Sequence, residues 1–194
     1  AHVYWGPKLS QETFDKPIFS VERCSFHPNL SADAMQFSLD TLPQEYPSYG
    51  SGDFREPAFE ARYADGTTIS RLAYERHEIV SGKPGLEGLP ATYVENDNEA
   101  DTLHLYLRDE LTGLRVVLSY SVFNEMDVIA RSVRFINDGQ DVIALGRALS
   151  ASVDVNHSDF EFMQLSGPRL SERLMHNPDM FPGIPPLAIQ LGAG

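Results

Sequence analysis

Apolar and polar residues alternate along the middle of the chain, and this alternation predicts β-strands. In the segment 103–108 the leucines occupy one face and the polar residues the other, which is the period-two pattern of a half-buried strand. The pattern recurs over 116–122, where Ser119 belongs to the more polar face, and over 128–136, where Arg131 interrupts an apolar face. Helical periodicity is scarce. We therefore predict an all-β domain.

Two Asp-Gly pairs lie between the predicted strands, and each predicts a hairpin turn. Asp65-Gly66 separates a strand at 58–63 from one at 67–80, and Asp138-Gly139 separates the strand containing Arg131 from a partner at 141–153. Asp-Gly favours such turns because glycine accepts a positive φ. Short antiparallel strands at this spacing predict a β-sandwich rather than a sheet with alternating helices.

The predicted organisation is one partial sandwich domain over residues 1–194. Residues 1–57 are expected to be largely irregular, 58–165 to form the sandwich strands, and 166–194 to be irregular again. An irregular stretch as long as 1–57 usually carries function or packs against a partner. The chain opens at Ala1 without an initiator Met or a signal segment, and no strand pattern closes it. We therefore expect both ends to be cuts through a longer protein, with exposed sheet edges.

Charge and cysteine content narrow the classes of partner. A net charge of −13 argues against nucleic acid and anionic membrane surfaces, because binding to phosphate needs clustered Lys and Arg. No apolar run approaches the ~20 residues of a membrane helix. A neutral ligand such as a sugar meets no such barrier. Cys24 is the only cysteine, so no disulfide forms within the chain, which fits a reducing compartment such as the bacterial cytoplasm.

A series of short sequence blocks carries a resemblance to one family. In chain order they are Tyr4-Trp5-Gly6, FSLDTLPQEYP at 37–47, YGSGDFREPAF at 49–59, KPGLEGLPATYVE at 83–95, Arg147-Ala148-Leu149-Ser150 and Gln164-Leu165-Ser166-Gly167. In this order the blocks resemble the amino-terminal domain of bacterial α-galactosidases of glycoside hydrolase family 36. The resemblance implies an antiparallel β-supersandwich, the galactose mutarotase-like fold, here incomplete at both ends.

The same resemblance implies a division of labour with a following (β/α)-barrel, which carries the retaining hydrolysis of terminal α-galactosides. The family's nucleophile block contains Lys-Trp-Asp, but the only tryptophan here is Trp5, which follows Tyr4. The acid/base block is absent as well. We therefore assign no catalytic residue and no cofactor, and we expect the fragment to be inactive alone. The implied partners are the barrel of the same polypeptide, a galactoside substrate and further copies in a homo-oligomer, for which a tetramer is expected.

The loop from Tyr46 to Pro57 is the leading candidate for a functional site. Tyr49 offers an aromatic face to a sugar, while Asp53 and Arg55 offer groups that bind hydroxyls. The resemblance implies that such loops wall the galactose pocket, including that of a neighbouring subunit. The alternative is that Asp53 and Arg55 pair with each other and fix the loop.

Glu22 lies where the resemblance aligns an acidic residue that reaches substrate, so it joins the candidate pocket wall. We favour a surface salt bridge as the explanation of Glu22, and such pairs contribute little to stability.

A second cluster, formed by Asp154, His157, Asp159 and Glu161, superficially resembles a metal site, since the last three share one face of a strand. Alternating polar residues on a solvated strand give the same pattern, and we favour that interpretation: no metal is predicted.

Two other functions remain open. An independent carbohydrate-binding module shares the sandwich and the aromatic residues, but it should bind galactosides alone. An aldose mutarotase or epimerase shares the fold, although fold is weak evidence of function. That hypothesis needs a histidine and a carboxylate on a concave face, and His157 with Asp159 or Glu161 supplies the candidates.

Overall fold

The computed structural model describes residues 44–50, 56–88, 91–153, 164–166 and 174–176. They fall in two units, 1–152 and 153–194. The strands of the first unit are β1 Phe59–Arg62, β2 Ala73–Ser81, β3 Ala100–Arg108, β4 Leu114–Phe123, β5 Ile129–Asn137 and β6 Ala144–Ala148. A short 3₁₀ turn at Asp97–Glu99 precedes β3, and no α-helix occurs in the described ranges. The all-β prediction is confirmed.

The first unit contains two antiparallel sheets. The strands β2, β3, β4 and β5 form a four-stranded meander in chain order, and β1 pairs with β6 in a second sheet. The register across the meander is continuous from β3 to β5, with Leu105 opposite Leu118 and Leu118 opposite Val133. Opposed residues on antiparallel strands share a face, so this row places three apolar side chains side by side.

The core lies between this apolar face and the β1–β6 sheet. It contains Tyr46, Ala58, Phe59, Ala61, Tyr63, Leu114, Val116, Leu118 and Tyr120, with the three β3 leucines packed against it. Phe59 makes tilted ring contact with Phe135 of β5, at a centroid distance of 5.6 Å. The predicted apolar face of β3 and β4 does face the core, but burial does not alternate strictly: Val117 and Ser121 on the opposite face are 3% and 5% exposed, and Val122 is 47% exposed.

Both predicted hairpins are wrong in their pairing, although both turns exist. At Asp65-Gly66 the Gly66 amide donates to the Tyr63 carbonyl, and Gly66 has a φ of +85°. However, β1 pairs with β6 and β2 pairs with β3. Likewise β5 pairs with β4, and the chain leaves the meander after Asp138-Gly139 to form β6. Each Asp-Gly turn is therefore a corner between two sheets.

The second corner packs directly against the β3–β4 turn through two glycines. A Cβ on Gly113 would lie 2.6 Å from the Gly139 nitrogen, and Gly113 has a φ of +74°. The Asp138 amide donates to the Gly113 carbonyl at 3.0 Å. Two backbones approach this closely only where neither carries a side chain, so the glycines set the position of the corner.

The second unit contains one described element, a hairpin-like pair of strands, β7 Gln164–Ser166 and β8 Leu174–His176, which pair antiparallel. β8 lies in the range 166–194 that was predicted to be irregular, so that prediction needs correction at these residues. The two short strands are stabilised by hydrogen bonds to each other, and the pattern of side chains alone did not indicate this pairing. The domain boundaries at 57 and 165 stay predictions.

Replacing Gly113 by alanine should destabilise the protein more than the same change at Gly66. Both positions have a positive φ, but an added Cβ at Gly66 meets nothing within 4 Å. We expect a loss of about 1 kcal/mol at Gly66 from backbone strain and about 2–3 kcal/mol at Gly113 from strain plus the clash. Denaturant unfolding of the two variants measures the difference, and equal losses would contradict the close approach.

Candidate functional site

The candidate loop from Tyr46 to Pro57 leaves the core and returns to it at a single closed neck. The Ala58 amide donates to the Pro47 carbonyl at 2.9 Å, which holds the two ends of the loop together. Ser48 forms a parallel bridge with Phe59, and its hydroxyl donates to the Ser70 carbonyl at 2.8 Å. Because both ends of the loop form hydrogen bonds at the neck, the loop is attached to the second sheet where β1 begins.

Tyr46 anchors the first stem of the loop inside the core. Its ring is 6% exposed and stacks on Phe59 at a centroid distance of 5.5 Å. Its hydroxyl donates to the Leu149 carbonyl, just after β6, at 2.6 Å. Burial raises the pKa of Tyr46, against the opposing effect of the nearby Arg131 cation. The phenol therefore keeps its proton and remains a donor, which ties the loop to the residue after β6.

Arg131 of β5 fixes the residue before Tyr46. Its side chain is 7% exposed and forms an ion pair with the Glu45 carboxylate at 3.6 Å. Its guanidinium also donates to the Glu45 carbonyl at 3.3 Å and lies 4.8 Å from the centre of the Tyr120 ring. A buried cation is stable only when such partners replace its water. Arg131 is thus the point where the loop stem is attached to the meander.

Tyr120 completes this cluster from β4. Its hydroxyl donates to the Glu45 carboxylate. Burial raises the pKa of Tyr120, and the bond to Glu45 raises it further, while Arg131 opposes both effects. The proton therefore stays on the phenol, and the Glu45 carboxylate accepts a hydrogen bond from this neutral donor while it forms an ion pair with Arg131.

The second stem is held by ion pairs with β6. Arg147 contacts the Glu56 carboxylate, at the end of the loop, and also reaches Glu60 of β1 at 3.5 Å. Both carboxylates are well exposed, at 39% and 49%. They share one cation and are open to water, unlike the desolvated carboxyl that serves as an acid in glycoside hydrolysis.

The predicted site residues divide between described and undescribed parts of the chain. Tyr49 is described: it is 56% exposed and stands next to Gly50, whose φ of +95° turns the chain against Ile69. Asp53, Arg55 and Glu22 lie outside the described residues, so their pairing and their contact with a pocket stay predictions.

The residues of the predicted non-metal cluster, within 154–161, also lie outside the described ranges. Within those ranges, no group of three or more His, Cys, Asp or Glu side chains is arranged to hold a metal ion. Nor does any described helix have the length and apolar character needed to cross a membrane.

Comparison with known proteins gives the chain its family. The model of the glycosyl hydrolase family 36 N-terminal domain matches residues 1–190. The chain belongs to that family. It is 42% identical to alpha-galactosidase AgaA of Geobacillus stearothermophilus over its full length, and 38% identical to alpha-galactosidase Mel36A of Lactobacillus acidophilus over 95% of its length. The crystal structure of AgaA superimposes with a TM-score of 0.86 at 44% identity, over 94% of this chain and 25% of that one.

Family 36 membership confirms the resemblance stated from the sequence blocks and the fold that it implied. The chain spans about a quarter of the length of these relatives, 26% of AgaA and 25% of Mel36A. Three quarters of each relative thus has no counterpart in the 194 residues. The chain is the N-terminal domain of the family's α-galactosidases, without the catalytic barrel.

Sequence reasoning missed the residues that hold the loop in place. From the sequence alone, Arg131 is only a break in an apolar face, Glu45 only a member of a sequence block, and Tyr46 only the first residue of the candidate loop. A charged residue at a core position of a strand is itself a signal, because such a cation requires a buried partner. The identity of that partner depends on tertiary packing, since Glu45 lies 86 residues away.

Replacing Arg131 by methionine should destabilise the protein by about 3 kcal/mol, because the partly buried carboxylate of Glu45 loses its cation. The matched control is Arg134→Met, on the same strand but exposed, where we expect a change within about 0.5 kcal/mol. Thermal and denaturant unfolding measure both. If the two variants unfold alike, Arg131 does not anchor the stem.

Proposed function

We propose that this domain supports the catalytic barrel of an α-galactosidase and presents the 46–57 loop as part of the wall of a galactose pocket. The observation that supports this proposal is the hydrogen-bonded neck of the loop, which is closed between Pro47 and Ala58 and anchored in the core through Tyr46. A wall that contacts substrate must be held in a fixed position, because misplacement weakens binding and orientation.

The chemistry of the loop supports a neutral, hydroxyl-bearing substrate. Tyr49 exposes its ring at the tip side of the neck, and Asp53 and Arg55 supply an acceptor and several donors. The relative AgaA has been crystallised as variants with raffinose and with stachyose, which are neutral sugars. A net charge of −13 presents no obstacle to such a ligand.

The remaining parts of the proposal concern assembly and location. The barrel of the same polypeptide is the principal partner, and a homo-oligomer, with a tetramer as the specific hypothesis, would bring the loop and Glu22 to a neighbouring pocket. The lone Cys24 is compatible with a reducing bacterial cytoplasm. The retaining hydrolysis then takes place on the barrel, while this domain shapes the pocket and contributes no reacting group.

The pocket-wall role predicts a change in substrate affinity when the loop is altered in the full-length protein. Asp53→Ala and Arg55→Ala should each raise KM for raffinose about tenfold, which corresponds to the loss of one hydrogen bond involving a charge. Arg62→Ala, at an exposed position of β1 outside the loop, is the control and should leave KM unchanged. Unchanged KM in both loop variants, with intact folding, would remove Asp53 and Arg55 from the pocket.

The support role predicts that the 194-residue chain alone does not hydrolyse a nitrophenyl α-galactoside, whereas the full-length protein does. Calorimetric titration of the chain with raffinose distinguishes the rival function: micromolar binding would favour an independent carbohydrate-binding module over a wall that needs the barrel. A polarimetric assay of galactose mutarotation by the chain tests the mutarotase hypothesis, for which no turnover is expected.

A further inference from the structure

The four-stranded sheet carries a cavity on the face opposite the core. This cavity has a volume of about 330 Å³ and lies between the sheet and the loop that follows β2, of which residues 82–88 and 91–92 are described. A volume of this size is at the lower end of those of small-molecule sites. We call it the hydroxyl cleft, after the side chains of Thr92, Thr102, Ser119, Ser121 and Ser132 that line it.

The strand register concentrates polar side chains at the floor of the hydroxyl cleft. His104 of β3 is directly opposite Ser119 of β4, and Ser119 is directly opposite Ser132 of β5. The three side chains therefore form one row across three strands on a single face. From the sequence alone, Ser119 belongs to the more polar face of its strand, which a solvated sheet surface would explain without any site.

Burial distinguishes this face from an ordinary solvated one. Thr102 is 1% exposed and Ser121 is 5% exposed. The Thr102 hydroxyl donates to the Gly82 carbonyl at 2.7 Å and bonds the Ser121 hydroxyl at 2.7 Å. These hydrogen bonds attach the start of the loop after β2 to the sheet. The position of this wall of the cleft is therefore fixed by contacts within the domain.

The remaining polar groups of the floor are available to a ligand. His104 uses its Nδ1 for a 2.8 Å hydrogen bond with the Ser119 hydroxyl. Within the described part of the chain, no further hydrogen bond or ion pair involves the other nitrogen of His104 or the hydroxyls of Ser132 and Thr92. Their polar atoms thus border the cleft without a protein partner.

The charge of the cleft favours a neutral ligand. Burial lowers the pKa of His104; the Glu78 carboxylate opposes this effect, and Arg134 reinforces it. The imidazole is therefore neutral near pH 7, with one nitrogen donating and the other accepting. The hydroxyls also both donate and accept, and of the two cationic residues that line the cleft, Lys83 and Arg131, the latter forms an ion pair with Glu45.

The opposite wall is apolar. Pro84, Leu86 and Ala91 of the loop line the cleft across from the serines and the histidine. A molecule that fits this arrangement has a row of hydroxyls along one edge and C–H groups along another. Cyclic polyols, including monosaccharides and cyclitols, have this chemistry, whereas an inorganic anion would find mostly neutral groups and an apolar wall.

We propose that the hydroxyl cleft is a binding site for a neutral cyclic polyol, separate from the loop of the proposed pocket wall and without a catalytic role. His104 and Ser132 hydrogen-bond the hydroxyls of the ligand, and Pro84 and Leu86 cover its C–H face. The site lies within the first unit and uses no residue of the 46–57 loop, so it does not depend on the proposed function of that loop.

Ligand-observed saturation-transfer NMR on the full-length protein with myo-inositol as the probe tests this proposal. We expect transfer to the myo-inositol protons in the wild type, with a Kd about tenfold weaker in Ser132→Leu, because the leucine removes a hydrogen bond and fills the cleft. Ala91→Phe narrows the cleft from the exposed loop side and should act likewise without altering the sheet.

The matched control is Ser81→Leu, on β2 of the same sheet but not lining the cleft, and it should bind like the wild type. Hydrolysis of a nitrophenyl α-galactoside should be unchanged in all three variants, which separates this site from the proposed pocket. Absence of transfer in the wild type, or transfer that persists in Ser132→Leu and Ala91→Phe, would overturn the proposal. Displacement of myo-inositol by equimolar sulfate would also overturn it, in favour of an anion site.

Discussion

The burial of one guanidinium in the sandwich determines how the neighbouring segments of the chain are arranged. Arg131 lies at a core-facing position of β5, where its side chain is only 7% exposed. It is compensated by the carboxylate and carbonyl of Glu45 and by the faces of two tyrosine rings. A buried cation that loses these partners costs several kcal/mol, so the segment before the candidate loop must follow one path across the sheet. The position of the loop is thus a consequence of charge compensation in the core.

Strand identity could be predicted from the sequence, but strand pairing could not. The alternation in β3 and β4 has a period of two over the whole strand, and the burial of the leucines and of Val116 and Leu118 follows it. The Asp-Gly turns are local: they fix the direction change at Gly66 and Gly139, but not the sheet to which the next strand belongs. β1 has only four residues, too few to specify a neighbour by pattern, and its pairing is decided by contacts with β6.

The candidate sites show the same division between local pattern and tertiary contact. The sequence blocks identified both the family and the loop that contains Tyr49, because a resemblance depends only on which residues occur and in what order. The neck between Pro47 and Ala58, and the ion pairs of Arg147 with Glu56 and Glu60, arise only when strands distant in sequence meet. Likewise, the serines of β4 look like an ordinary solvated face in the sequence. Only the strand register shows that His104 and Ser132 lie beside Ser119.

The pairing of β1 with β6 affects the order in which the molecule assembles during synthesis. Phe59 pairs with Ala148, so β1 leaves the ribosome long before its partner does. The meander between them consists of sequence neighbours, and low-separation pairs of this kind close fastest, whereas distant pairs are slow. The apolar side chains of β1 therefore remain exposed while β2 to β5 form. Exposed apolar surface during this period favours aggregation of nascent chains. Chaperone demand should accordingly be greatest in the period before β6 emerges, and it should end when that strand is added.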